Sequence, residues 1–190
     1  MDHSTIFVGT TYERQVEDAP QKGYAQYVMA ATQLFVEKST DYNHRFLRAL
    51  ADEGNDARTL WAWEVDKKLD RLRTWFERGE LQVKGEGVRN SVDDLFIYTV
   101  QYVAYVDEVV NHEVHPEHFV QVWTDDRAPL FINRATRLTP GEWVEFLTLK
   151  GRIQHNELWL QTLLRHYLGD SVAVEDWQQS IHALLKKPGV

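Results

Sequence analysis

The spacing of apolar residues leaves this chain few choices of fold. Between Ala57 and Arg78 an apolar side chain recurs every three or four residues, which places these side chains on one face of a helix. The same spacing is present from Tyr24 to Val36 and from about Ser91 to Asn111. Only the stretch from Arg127 to Leu138 suggests an extended segment, and no repeating strand–helix–strand pattern is present. We therefore predict an all-α protein.

Polar residues beside these stretches predict where helices begin and end. Ser91, followed three residues later by Asp94, is predicted to cap the third helix. The sequence TPGE at residues 139–142 combines a capping Thr, a Pro at the first helical position and a Glu at the third. It predicts the start of one long helix that ends at Gly169. A short final helix is expected from about Val174 to Lys186.

Composition excludes several classes of function. The formal net charge of −8 argues against broad nucleic-acid binding, because such binding needs clustered Lys and Arg to displace counterions. Because the chain has no cysteine, it cannot form a disulfide or a thiolate metal site, and a reducing compartment is expected. We find no signal peptide and no window near the roughly 18 apolar residues of a membrane span. The prediction is a cytoplasmic protein that does not cross a membrane.

The stretch EKSTDYNHRF, residues 37–46, is rich in hydrogen-bonding side chains and contains neither Gly nor Pro. A plain loop usually contains such turn residues. We therefore interpret the stretch as a structured loop at a ligand site, with Asp41 and Tyr42 as the candidate contacts. The ring of Tyr42 offers a surface on which a base can stack, and its hydroxyl offers a partner for a sugar or a phosphate.

Three charged residues share one face of the second predicted helix. Glu64, Lys68 and Arg71 are spaced at i, i+4 and i+7, next to the apolar stripe of that helix. One interpretation is a surface pair of Glu64 and Lys68 worth about 0.2–0.5 kcal/mol. The other is a polar row that faces a cleft between helices.

Two carboxylates stand near the start of the third predicted helix. Asp93 and Asp94 either satisfy free N–H groups and the helix dipole there, or bind a metal ion opposite Glu64. Carboxylates that converge from facing helices are a common way for helical proteins to bind Mg²⁺ or Mn²⁺. Taken separately, the two interpretations are equally open.

Three short motifs occur in an order that resembles one protein family. They are KSTDY at residues 38–42, KLDRL at residues 68–72, and SVDD at residues 91–94, the last followed by Tyr102. Together they resemble the nucleotide modification associated domain of the first type, found largely in phages and bacteria. That domain is similar in turn to the MazG-like all-α nucleoside triphosphate pyrophosphohydrolases. The resemblance covers about residues 24 to 110.

The resemblance implies a MazG-like helical bundle, dimeric or larger, that binds a nucleotide together with Mg²⁺ or Mn²⁺. It implies a core over residues 24–115, between an N-terminal arm over 1–23 and a C-terminal helical extension over 116–190. Glu64 and Asp94 would be catalytic, and Glu64, Asp93 and Asp94 would hold the metal. The residues implied to contact the substrate are Asp41, Tyr42, Asn43, Lys68, Arg71, Tyr98 and Tyr102.

Three residues depart from the pattern of that family. Asn43 replaces the expected Gly, and Asn90 and Tyr98 stand where acids are expected. Because the number of carboxylates sets affinity for hard metal ions, two hypotheses follow. The first is a metal-dependent pyrophosphohydrolase that releases a nucleoside monophosphate. The second is a protein on the same fold that binds and sequesters a nucleotide or nucleotide signal. A third alternative, which does not depend on the carboxylates, is an interaction protein whose aromatic helices dock a partner.

Overall fold

The computed structural model describes residues 23–78, 81 and 87–170. This part of the chain is helical and contains no strand, which confirms the all-α prediction. The predicted arm, up to residue 22, and the predicted helix from Val174 to Lys186 lie outside the described residues. The helices are α1 (Tyr24–Asp41), α2 (Arg45–Ala51), α3 (Ala57–Arg78), α4 (Val88–Tyr105), a π-helical segment (Val106–Asn111), α5 (Pro116–Asp125), α6 (Arg127–Ala135), α7 (Pro140–Leu149) and α8 (Leu158–Tyr167).

The chain divides into two compact units. The first unit is drawn from residues 1–27, 69–92 and 138–190, and the second from residues 28–68 and 93–137. Helices α1, α3 and α4 therefore each contribute part of their length to both units. None of the described helices combines the length and apolar character that a membrane crossing requires.

The core of the first unit contains several large aromatic side chains. Phe76 of α3 stacks on Trp159 of α8, with ring centroids 3.9 Å apart and planes 7° from parallel. The indole Nε1 of Trp143 donates a hydrogen bond of 2.7 Å to the hydroxyl of Tyr24. Leucines of α3, α7 and α8 are also buried, and α7 packs against α8.

The core of the second unit is also aromatic. Phe35 of α1 stacks on Phe131 of α6 at 4.8 Å, and Trp61 of α3 stacks on Tyr102 of α4 at 4.5 Å. The indole of Trp61 also donates a hydrogen bond of 3.2 Å to the hydroxyl of Thr99. The seven Trp of the sequence therefore include core residues in both units.

The prediction of a loop at residues 37–46 is wrong for most of the stretch. Helix α1 continues to Asp41, and α2 begins at Arg45, so that only residues 42–44 form a turn. The helix extends because no Gly or Pro interrupts it, and the hydroxyl of Thr40 donates back to the carbonyl of Val36. It ends where the backbone becomes left-handed at Asn43.

The prediction of an extended segment from Arg127 to Leu138 is also wrong, because α6 occupies most of it. Pro129 lies at the third helical position, where a backbone N–H has no partner within the helix. The N–H of Leu130 makes the first helical bond, to the carbonyl of Asp126 at 3.1 Å. Burial of Phe131 against the second unit's core then stabilises the helix.

The single long helix predicted from Thr139 to Gly169 is two helices, α7 and α8. The predicted start is confirmed, since Thr139 and Glu142 form a reciprocal capping box with bonds of 3.2 and 2.7 Å. The helix stops because Gly151 adopts a left-handed conformation, with φ of 72°. Gly169 takes the same conformation beyond the end of α8, where the sequence predicts a helix end.

Ser91 does not cap the third predicted helix. Helix α4 begins three residues earlier, at Val88, and the side chain of Asn90 accepts a hydrogen bond of 3.1 Å from the N–H of Gly87. Ser91 is instead buried inside the helix. Asp94 therefore stands in the second turn of α4, beyond the reach of the dipole at the helix N-terminus. At the other end, the helix continues into the π-helical segment and stops at Asn111, as predicted.

Candidate functional site

A carboxylate of the second unit lies between two ammonium groups. Asp94 of α4 pairs through Oδ2 with Nζ of Lys68 on α3 at 2.8 Å, and through Oδ1 with Nζ of Lys38 on α1. The Asp94 side chain is 16% exposed, whereas Lys68 and Lys38 retain 26% and 40%. Three helices therefore bring one negative and two positive charges together, with both ammonium groups accessible to solvent.

A second carboxylate lies one helical turn away on α3. Glu64 pairs with the neighbouring Lys67 at 2.8 Å and accepts a hydrogen bond from the hydroxyl of Tyr98. Tyr98 follows Asp94 by one turn of α4. Burial, and then the negative charges of Glu64 and Asp94, raise the pKa of Tyr98 to about 12. Its phenol therefore stays protonated at neutral pH and remains a hydrogen-bond donor.

Tyr42 extends from the turn between α1 and α2 and is 67% exposed. Its phenol lies close enough to Tyr98 to contribute to the rise in the pKa of Tyr98. The ring of Phe46 packs edge-on against Tyr98, with centroids 4.7 Å apart. Tyr42 thus offers an accessible aromatic face beside the two carboxylates.

The structure places the predicted site residues in three groups. The second unit brings Tyr42, Glu64, Lys68, Asp94 and Tyr98 together as described above. Asp41 is the exposed last residue of α1, and Asn43 contributes backbone to the turn, where its carbonyl accepts a hydrogen bond from Arg48.

The remaining three predicted residues have other surroundings. Tyr102 is buried and lies flat on Trp61, so that this ring belongs to the core. Asp93 is also buried, on α4 next to Asp94. Arg71 lies on the part of α3 that belongs to the first unit.

Sequence reasoning did not select Lys38 as a site residue, although it opens the KSTDY motif. Lys38 and Asp94 are 56 positions apart in the sequence, so helical spacing could not predict their contact. The available signal for Lys38 was its position on α1, one helical turn before Tyr42. A cation in that position faces the same site as the candidate aromatic residue.

The fit of this site to a divalent metal ion can be judged from its oxygen donors. In the described ranges, no group of three or more Asp, Glu or His side chains is arranged to hold a metal. Both oxygens of Asp94 face ammonium groups, and Glu64 is engaged by Lys67 and Tyr98. As arranged, these two carboxylates do not offer the several free oxygens that a hard cation requires.

Comparisons with protein-family models, with curated proteins and with solved structures found no match to this chain. The resemblance to the nucleotide modification associated domain therefore stays a prediction, and the function rests on the site itself.

Proposed function

We propose that this protein binds a nucleoside phosphate and that Lys38 and Lys68 contact its phosphate group. The observation that carries the proposal is the pairing of both lysines with one carboxylate, Asp94, from different helices. Each ammonium has three N–H donors and uses one of them on Asp94, so donors remain for phosphate oxygens. The three charges sum to a net positive group within a chain of net charge −8.

Asp94 has a clear part in this arrangement. A lysine side chain loses about 2 kcal/mol of rotamer entropy when it is fixed. Asp94 fixes both lysines before the ligand arrives, which reduces the cost of ordering them on binding. The exposed ring of Tyr42 completes the proposed site, because stacking of a base on an aromatic ring is worth about 1–3 kcal/mol.

Thermal shift and calorimetry with a panel of nucleotides in EDTA test this proposal. A ligand at about a hundred times its Kd should raise the free energy of unfolding by about 2.7 kcal/mol. We expect Lys38→Gln and Lys68→Gln each to weaken binding by about tenfold or more, since hydrogen bonds between charged groups contribute about 1.5–3 kcal/mol. Lys67→Gln, on the same helix but paired with Glu64, is the matched control and should bind within about twofold of wild type.

Two results would overturn the proposal: the absence of a shift with every nucleotide, or wild-type affinity in both lysine variants. The first result would favour an interaction protein whose aromatic surface docks a partner. Assembly into a dimer or larger oligomer and a cytoplasmic location belong to the same proposal. Light scattering in solution measures the former, and imaging of a tagged protein measures the latter.

Metal-dependent pyrophosphohydrolysis is the second candidate function. It is favoured by the presence of two carboxylates from different helices, Glu64 of α3 and Asp94 of α4, whose charges both raise the pKa of Tyr98. Such activity requires the lysines to release Asp94, so that its oxygens become free to bind Mg²⁺ or Mn²⁺. Chromatography of nucleotides incubated with Mn²⁺ or with EDTA separates the two candidates. Monophosphate that appears only with Mn²⁺, and not with Asp94→Asn, supports hydrolysis, whereas intact ligand supports binding alone.

A further inference from the structure

The turn between α1 and α2 adopts an unusual backbone conformation. Asn43 and His44 are consecutive non-glycine residues with positive φ, at 50° and 54°. Left-handed backbone is unfavourable for residues that carry a Cβ, and strained positions of this kind concentrate at functional sites. The side chain of His44 is held in place from α1, where Oγ of Ser39 lies 2.6 Å from its Nδ1.

Two arginines from other helices are anchored around this turn by neutral oxygen atoms. Arg48 of α2 donates through Nε to the carbonyl of Asn43 at 2.9 Å. Arg127 of α6 donates through Nη2 to the hydroxyl of Thr40 at 2.9 Å, and through Nη1 to the carbonyl of Thr124 at 3.0 Å. We call His44, Arg48 and Arg127 the turn cluster.

The turn cluster contains two guanidinium groups that are bonded to neutral oxygens. Within the described part of the chain, neither Arg48 nor Arg127 forms an ion pair with a carboxylate. Among the described residues, the Arg48 guanidinium donates through Nε alone, so the N–H groups of both its Nη atoms are available there. Burial lowers the pKa of His44, and the charges of Arg127 and Arg48 lower it further.

We propose that the turn cluster is a second anion subsite, which binds another phosphate group of the ligand held by Lys38 and Lys68. This inference rests on the proposed function, because one turn joins the two groups of residues: exposed Tyr42 begins it, and Arg48 bonds to the carbonyl of Asn43 within it. Guanidinium groups match phosphate oxygens through paired N–H donors. The ligand class is thereby narrowed to nucleoside di- and triphosphates, since a monophosphate occupies only one of the two subsites.

Calorimetry with a nucleoside triphosphate and its monophosphate tests the subsite. We expect Arg48→Gln and Arg127→Gln to weaken triphosphate binding by about tenfold or more while monophosphate binding stays within about twofold. Arg45→Gln is the matched control, because Arg45 is exposed on the same helix and belongs to neither subsite. Arg48→Lys keeps the charge and should lose less affinity than Arg48→Gln. Circular dichroism and Tm verify that each variant is folded.

Inorganic phosphate separates failure of this inference from failure of the proposed function. If phosphate binds the wild type but not Arg48→Gln or Arg127→Gln, and no nucleotide binds, the result supports the subsite and contradicts the proposed function. If the variants bind triphosphate as tightly as the wild type, the subsite is wrong and the proposed function stands. The absence of binding by both phosphate and nucleotides would overturn both.

Discussion

Burial controls the protonation of His166, a residue outside the candidate site. The imidazole lies inside the first unit and is 7% exposed. Burial lowers its pKa from 6.5 to about 4, because the charged form loses its hydration. At any pH between these values the unfolded chain binds more protons than the folded chain does. The contribution of this residue to stability is therefore complete above pH 6.5 and is lost as the pH falls towards 4.

We predict that His166→Gln reduces the fall in stability between pH 6.5 and pH 4. The reason is that glutamine takes up no proton when the protein unfolds. Urea denaturation at a series of pH values measures the effect as a shallower slope of the unfolding free energy against pH. A wild-type NMR titration is an independent check, and a His166 pKa near 6.5 would contradict the prediction.

For individual residues, the face of the helix on which a side chain lies could be predicted from the sequence, whereas its contacts with distant residues could not. The helical spacing of Glu64 and Lys68 predicted that they share one face of α3, and both form ion pairs there, Glu64 with Lys67 and Lys68 with Asp94. For Asp94 the sequence suggested either a role at the helix N-terminus or metal binding, and its contacts with two lysines were not predicted. Charged side chains distant in sequence can pair in many ways, and only the folded backbone selects among them.

At the scale of elements, the start of α7 depends on one side chain. The hydroxyl of Thr139 accepts a hydrogen bond from the N–H of Glu142, and the Glu142 carboxylate accepts one from the N–H of Thr139. We predict that Thr139→Ala lowers the free energy of unfolding by about 1 kcal/mol, a typical value for loss of an N-cap. Thr139→Ser is the control, because it keeps the hydroxyl and should lose less than half as much. Urea denaturation measures both, and equal losses would rule out the cap as the cause.

The end of α7 depends on a glycine. Gly151 has φ of 72°, and the N–H of Arg152 returns to the carbonyl of Leu147 at 2.9 Å. A Cβ added to Gly151 meets open space, so any cost of substitution comes from the backbone conformation alone.

We predict that Gly151→Ala destabilises the protein by about 1 kcal/mol, because alanine tolerates the left-handed region poorly. Gly151→Asn should cost less, since asparagine adopts this conformation more readily. Thermal denaturation of the two variants checks the order. A larger loss for asparagine than for alanine would show that the strain lies elsewhere.

These details explain which helices could be predicted from sequence. Helix α3 was predicted at its observed bounds because its apolar spacing continues without interruption until glycine follows. The break between α7 and α8 was missed because apolar residues on both sides of Gly151 maintain a helical spacing through it. Helix α6 was predicted to be extended, yet Pro129 in its first turn is compatible with a helix.

At the scale of the whole molecule, one ion pair connects distant parts of the sequence within the first unit. Arg73 of α3 bonds Glu157 through two parallel contacts, Nε to Oε1 at 2.8 Å and Nη2 to Oε2 at 3.1 Å. Its Nη2 also donates to the carbonyl of Arg152. The pair is only partly exposed, and its paired geometry is that of the stronger guanidinium–carboxylate contacts.

We predict a coupling energy of about 1–2 kcal/mol between Arg73 and Glu157, because the two charges form paired hydrogen bonds in a partly buried setting. A double-mutant cycle with Arg73→Gln and Glu157→Gln, followed by urea denaturation, measures it. The control cycle pairs Arg73→Gln with Asp70→Asn. Asp70 contacts the same guanidinium but is 72% exposed, so that its coupling should stay below about 0.5 kcal/mol. Equal coupling in both cycles would contradict the prediction.

Because the residues of the two units alternate along the chain, the ribosome completes one unit before the other. The second unit is complete once Arg137 has left the exit tunnel, whereas the first unit still lacks the residues from Leu138 onward. Synthesis adds roughly 5–20 residues per second, so this interval lasts several seconds, longer than most helical domains need to fold. The proposed ligand-binding residues all lie in the second unit and are therefore all synthesised before the first unit is complete.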